Sequence, residues 1–293
     1  MRNLPQEIVN LIIDELHELL GDPDYDFEPP IPHYGISKYS TVSRRWVTRT
    51  RQHHFKLLSI SNTKYLQRWD RAFSPDSTPH VSRYVKTLDF FGVDTLEGFG
   101  GHLKAFTHVK DATFDGCDIF CSSDTPSLLE PLGTRLVTLT IDASNVLPKV
   151  MAEFLSLLPC LRRFDATDLT PDSRQNLDPK ETLPAIPFFE KGEGDFRLSL
   201  DHEDYSLEAP SWIPPTARFE SLAVEASLIR DSPGILNGWI ISSGETLKHL
   251  NFSADQRLDG TFLGQTSVSV SLLITIPSRF LSQPCGPLKM HIP

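Results

Sequence analysis

Leu136-Val137-Thr138-Leu139-Thr140-Ile141 carries large apolar side chains at its first, fourth and sixth positions and threonines at its third and fifth. In an extended chain neighbouring side chains point to opposite faces, so Leu139 and Ile141 share one face and Thr138 and Thr140 the other. The same beat returns along the chain. It is present in Val85-Lys86-Thr87-Leu88-Asp89-Phe90, Val109 to Phe114, Leu161 to Ala166, Phe196 to Leu200 in a looser form, Phe219-Glu220-Ser221-Leu222-Ala223-Val224 and Leu247-Lys248-His249-Leu250-Asn251-Phe252. Starts at 85, 109, 136, 161, 219 and 247 are separated by 24, 27, 25, 58 and 28 residues, and the Phe196 unit divides the long interval. Each unit is too small to bury its own apolar side, so it must stack on the next.

A beat of this form, at a period of about 20–29 residues, resembles the leucine-rich repeat. Apolar connectors lie between beats at Leu96 to Phe106, Ser127 to Leu132, Val150 to Leu158 and Ile235 to Ser242, and they read as helical or irregular return segments. Eight residues after each start, such repeats turn a small polar residue or Cys inward. Here that position holds Val93, Cys117, Ser144, Leu169, Ser227 and Asp255, which makes the array irregular. An unrelated α/β domain with parallel strands shares the strand–helix alternation and stays open as an alternative. After Asp255 the beat disappears, although Gln265 to Pro277 alternates like one further strand.

In stacked repeats, function moves to the side chains between the apolar beats. The residues expected there include Phe91, Asp115, Asp142, Arg163, Glu225 and Asn251, candidates for a concave surface that holds a protein substrate through a few anchors. An ordinary solvated sheet face is the plainer reading of the same row.

The N-terminal end has a different texture. Leu4-Pro5-Gln6-Glu7-Ile8 runs on through Val9, Ile12, Ile13 and Leu16, with Ile8, Ile12, Leu16 and Leu20 at every fourth residue. This predicts an amphipathic helix, capped by Asn3 with Gln6 reaching back, and Pro5 in its first turn. Val42-Ser43-Arg44-Arg45-Trp46-Val47 opens a later helix with Val42, Trp46 and Phe55 as apolar anchors. Between the two, Gly21 to Tyr34 is too rich in acids and proline for a helix and reads as an inserted loop, followed by a second helix from Ile36 to roughly Arg45.

The Leu-Pro-x-Glu-Ile opening together with the Val-Ser-Arg-Arg-Trp block resembles the F-box. The block is followed by Arg49-x-Arg51-x-His53-x-Phe55, a texture similar to the large fungal F-box families. The resemblance covers about the first fifth of the chain. It implies a compact helical module that binds a Skp-family adaptor and through it a cullin-based ubiquitin ligase. Leu4, Pro5, Glu7, Ile8, Ile12 and Ile13 would then supply one part of the adaptor surface, and Val42 and Trp46 a second part or the module's own core. The fold expected is α/β: an N-terminal three-helix F-box-like module followed by an irregular leucine-rich-repeat solenoid. Its divisions are 1–60 for the module (21–34 inserted), 61–84 for a linker, 85–256 for the repeats and 257–293 for an irregular tail.

Composition agrees with a soluble chain of 293 residues, 39% hydrophobic, in which no run of eighteen apolar residues occurs. With its N-terminus leading directly into a helix, the chain is expected in cytosol or nucleus. Cys117, Cys121, Cys160 and Cys285 have neither paired spacing nor secretory density and read as reduced. Net charge is −10, yet Lys38, Arg44, Arg45, Arg49, Arg51, Lys56, Lys64 and Arg68 meet no acid between Pro29 and Trp69, so the remainder carries −18. A basic helical face of this kind suits an acidic protein partner, and the balance elsewhere repels a phosphate backbone. Neither nucleic acid nor membrane is an expected partner.

Catalytic signals are poor. Gly98-Phe99-Gly100-Gly101 lacks the lysine and spacing of a phosphate loop, and three adjacent residues such as His202-Glu203-Asp204 cannot aim at one ion from a strand. No cofactor, no metal and no enzymatic activity are expected. The competing classes are a repeat scaffold outside any ligase and an α/β enzyme whose site lacks a sequence signature.

Overall fold

The computed structural model describes residues 5–20, 42–61, 82–97, 100–171, 183–199, 212–225, 233–254 and 268–272. Two helices come first, α1 (Gln6–Leu20) and α2 (Arg44–His54). The strands that follow are β1 (Leu57–Ser61), β2 (Thr87–Phe91), β3 (Asp111–Asp115), β4 (Thr138–Asp142), β6 (Arg163–Thr167), β8 (Asp195–Ser199), β9 (Ser221–Glu225), β10 (His249–Ala254) and β11 (Val268–Leu272). They form one nine-stranded sheet whose spatial order is their chain order. Strands β1 to β10 of this sheet pair in parallel, and only β11 runs antiparallel, against β10. The fold is therefore mixed α/β on a largely parallel sheet. Two short strands, β5 (Asn145–Val146) and β7 (Thr170–Pro171), pair separately.

The beats align in register. Leu88, Ala112, Leu139, Phe164, Phe196, Leu222 and Leu250 stand side by side, as do Ile60, Phe90, Phe114, Ile141, Ala166, Leu198 and Val224. All are buried in one continuous core that runs from Ile60 to Leu250. Aromatic rings carry the stacking from strand to strand: Phe90 lies parallel to Phe114 at 4.8 Å, and Phe196 to Phe219 at 5.2 Å. The core's other wall is made by return helices α3 (Gly100–Leu103), α4 (Thr125–Gly133), α5 (Pro148–Ser156), α6 (Pro187–Lys191) and α7 (Pro233–Ser242). Pro126, Pro148 and Pro187 sit in the first turns of α4, α5 and α6, where a missing N–H is harmless.

The same turn ends four successive strands. Gly92, Gly116, Ala143 and Asp168 follow β2, β3, β4 and β6, and all four have positive φ between 44° and 58°. The N–H of each donates to the last carbonyl of the next strand: Gly92 to Asp115, Gly116 to Asp142, Ala143 to Thr167 and Asp168 to Ser199, at 2.8–3.1 Å. One residue further on, Val93, Cys117, Ser144 and Leu169 turn inward and are buried, as their place eight residues after each start predicts. Cys117 Sγ donates to the Phe90 carbonyl at 3.3 Å, and the Cys117 N–H donates to Ser144 Oγ at 3.1 Å, so this position links three units.

The sheet begins before the first beat. Leu57–Ser61 follows α2 almost directly and pairs with β2. At the other end β11 falls inside the stretch read as alternating, within 265–277. Helix α2 starts at Arg44, where Ser43 Oγ accepts from the Arg45 N–H at 3.2 Å. The expected second helix, Ile36 to roughly Arg45, lies largely outside the described residues; of its end, Val42 is in a turn and Ser43 is the cap. The expected Asn3 cap, the Gly21–Tyr34 insertion, Ser227, Asp255, Cys285 and the His202-Glu203-Asp204 triplet also lie outside them.

Candidate functional site

Two surfaces hold the residues singled out by the sequence. The first is the α1–α2 pair. Its seam is Val9 and Ile13, both buried, with Trp46 of α2 packed against them. The seam lies one residue on from Ile8 and Ile12 of the predicted stripe. Ile8 is 43% exposed, Leu11 60% and Val42, in the turn before α2, 55%. Gln6 Nε2 donates to Asn10 Oδ1 at 3.0 Å and to the Arg45 carbonyl at 3.1 Å, which ties the start of α1 to α2.

Of the adaptor candidates, Pro5, Glu7, Ile8 and Val42 are therefore on the surface, Ile12 is half-buried, and Ile13 and Trp46 belong to the seam. Leu4 lies outside the described residues. The Pro5 carbonyl accepts from the N–H groups of Ile8 and Val9 at 3.1 and 3.2 Å and so opens the helix. Leu11 joins this exposed apolar group without having been singled out; its place three residues after Ile8 was the available signal.

The second surface is the outward face of the sheet. Register sorts it into three rows. Thr87, Asp111, Thr138, Arg163, Asp195, Ser221 and His249 form one; Asp89, Thr113, Thr140, Asp165, Arg197, Ala223 and Asn251 the next; Phe91, Asp115, Asp142, Thr167 and Ser199 the last. Phe91, Asp115 and Asp142 are thus immediate neighbours, about 4.8 Å per strand apart. Arg163 lies two rows away, its Nε donating to Asp165 Oδ2 at 2.9 Å. Asn251 shares a row with Asp89 but sits six strands along. Glu225 stands in β9 opposite Ser253.

Asp89, missing from the expected anchors, completes a cluster with Asp115 and Asp142. Burial pushes the Asp89 carboxyl above its ordinary value, and the Asp115 charge adds to the shift. Burial also raises Asp115. Asp142 is raised by burial first, then by the charges of Asp115 and Asp168. Like charges held together in partial desolvation disfavour their own ionised forms.

Elsewhere a shallow cavity of about 270 Å³ lies where β6 and β8 begin, lined by residues that include Cys160, Arg162, Phe188 and Lys191. The lysine there is engaged: Lys191 Nζ donates to the Pro159 carbonyl at 2.7 Å. Among the described residues no three His, Cys, Asp or Glu side chains converge to hold a metal ion, and no helix is long and apolar enough to cross a membrane. Cys117, Cys121 and Cys160 take part in no disulfide.

No family model, curated protein or solved structure matches the chain.

Proposed function

We propose that this chain recruits a protein substrate to an SCF-type ubiquitin ligase. The N-terminal helices form an F-box-like module that binds a Skp-family adaptor and, through it, a cullin. The strand array is an irregular leucine-rich-repeat solenoid whose outward face holds the substrate. The chain itself performs no chemistry: it raises the effective concentration of substrate beside the ligase's transferring subunits. Such a complex works in cytoplasm or nucleus.

The observation that carries this reading is the exposure of Ile8 and Leu11 on α1, and of Val42 just before α2, beside a seam already filled. Ile8 and Leu11, three residues apart, share a face of α1, and large apolar side chains that share a face mark a protein contact more often than isolated ones do. The Leu-Pro-x-Glu-Ile and Val-Ser-Arg-Arg-Trp blocks supply two of these residues, Ile8 and Val42.

The test is capture of a purified Skp-family adaptor by the full chain, beside Pro5→Ala/Ile8→Ala and Leu11→Ala variants. Capture by the wild type, weakened by at least about tenfold in the double variant with the sheet intact, is expected for anchors in a contact. A folded wild type that captures no adaptor would leave a repeat scaffold outside any ligase as the better account.

A further inference from the structure

The outward face of the sheet treats its acids in two ways. Asp165 is answered within its own strand by Arg163 at 2.9 Å, and Glu220 by Lys248 at 2.7 Å. Asp89, Asp115 and Asp142 have no ion pair among the described residues. The lysines of their units, Lys86 and Lys110, precede the strands, about 16 Å from Phe91 and Asp115 along an extended chain. The fold thus gathers three half-buried carboxylates on three adjacent strands and sets beside them Phe91, a phenylalanine 57% exposed.

Each kind of ligand meets this group differently. A metal ion is a poor fit, because among the described residues no three such groups converge on one point. A nucleic acid would add phosphates to carboxylates and be repelled. A purely apolar partner would desolvate the carboxylates further without compensation. An arginine fits both components. Its planar guanidinium binds a carboxylate through two parallel N–H bonds, and it stacks on an aromatic face. A lysine offers a point charge and cannot make the two-pronged bond.

We propose that the β2–β4 part of the sheet face docks an arginine-bearing segment of a partner protein, with Phe91, Asp89, Asp115 and Asp142 as its recognition group. This names the substrate class for the recruiter described above and rests on that reading. The segment's arginine side chain covers Phe91 while its guanidinium bridges Asp115 and its neighbours.

The test uses the full chain and a short fluorescein-labelled peptide with arginine at alternate positions, read by fluorescence anisotropy at low salt. The wild type should bind it more tightly than the same peptide with lysine in place of arginine. Asp115→Asn/Asp142→Asn should weaken binding by about tenfold, as loss of close charge partners does. Phe91→Ala should weaken it by about threefold, the scale of an exposed cation–π contact. Asp124→Asn/Glu130→Gln makes the same change in net charge on α4, against the sheet's other face, and should weaken binding by less than about twofold.

Equal weakening by the α4 control would overturn the proposal, since net charge alone would then explain binding. So would a folded wild type that binds neither peptide, or binds both equally. Adaptor capture is measured on the same preparations. Adaptor captured without peptide binding removes the docking proposal alone; peptide binding without adaptor removes the ligase reading and leaves the surface as a basic-segment receptor.

Discussion

Asp14 on α1 grips the Arg49 guanidinium on α2 with both carboxylate oxygens, Oδ1 to Nε and Oδ2 to Nη2, each at 2.7 Å. His53, one turn further along α2, brings Nε2 to 2.7 Å from the same Oδ1. This fork joins residues 35 apart in the chain and stands beside the Val9–Ile13–Trp46 seam. The bonds from Arg49 hold the Asp14 carboxyl at about 2 despite the opposing effect of burial, with His53 helping.

Asp14→Asn should therefore loosen the helix pair at neutral pH by about 1 kcal/mol, the scale of a partly exposed ion pair with good geometry. The sign follows from the depressed value. The stabilisation is complete above the unfolded carboxyl's ordinary range and fades as pH falls through about 2. Hydrogen exchange is the measurement: amides of α1 and α2 should exchange faster in the variant while those of β3 and β4 do not change.

The turn after each strand gives a reciprocal pair of substitutions. Gly116 sits at φ 58° with open space where a Cβ would go, so Gly116→Ala meets only backbone strain. It should cost about 1 kcal/mol. Ala143 already occupies the same turn at φ 44°, and Ala143→Gly should recover part of that amount. Thermal unfolding should move by roughly 2–4 °C downward in the first and by less, upward, in the second.

Phe114 is fully buried, stacked on Phe90 at 4.8 Å and edge-on to Phe120 at 5.1 Å. Phe114→Ala should cost about 3–5 kcal/mol through lost burial and the cavity left behind. Denaturant unfolding followed by circular dichroism checks this, with a fall in midpoint at an unchanged slope.

Thiol labelling should separate two cysteines. Burial pushes the Cys117 thiol up to about 11, although backbone hydrogen bonds oppose the rise, and its sulfur faces the Phe90 and Asp115 carbonyls. Cys160 is exposed. A maleimide at mildly alkaline pH should modify Cys160 in the folded protein and reach Cys117 only on unfolding, as peptide mass mapping will report.

Asp115→Asn should stabilise the free chain. A carboxyl raised in the folded state destabilises it once ionised, and Asp115 also disfavours the charges of Asp89 and Asp142. The gain is expected at pH 7, about 1–2 °C in melting temperature, and should vanish at pH values low enough to protonate the carboxyls. A melt at both pH values decides it: equal shifts at the two would mean the charge is not the cause.

Much of the sheet was legible because the beat reports two things at once, an alternation within the strand and a period between strands. Thr138–Asp142 begins two residues after Leu136, and β2, β3, β6, β9 and β10 keep the same offset, whereas β8 begins one residue before Phe196. Strand β1 was missed since Leu57-Leu58-Ser59-Ile60-Ser61 has only Leu58 and Ile60 to face inward and follows a helix without a break. The five residues of α6 are too few for any period. On α1, Ile8, Val9, Leu11, Ile12 and Ile13 are all apolar, so periodicity alone does not choose between seam and surface; Trp46 makes that choice from α2. The strand-end turns were half visible: Gly92 and Gly116 suit a left-handed residue, whereas Ala143 and Asp168 give little sign of it. The Asp cluster depends on which strands become neighbours, and only the register supplies that.

Because each strand lies beside its predecessor in the chain, paired residues of the parallel strands are separated by 24 to 32 positions wherever they occur in the sheet. Closing one more loop of that length costs nearly the same conformational entropy at the first strand as at the last. Folding of the sheet therefore has no single obligatory nucleus dictated by topology. Assembly can start at whichever adjacent pair has the best aromatic contact, Phe90 on Phe114 or Phe196 on Phe219, and spread in both directions.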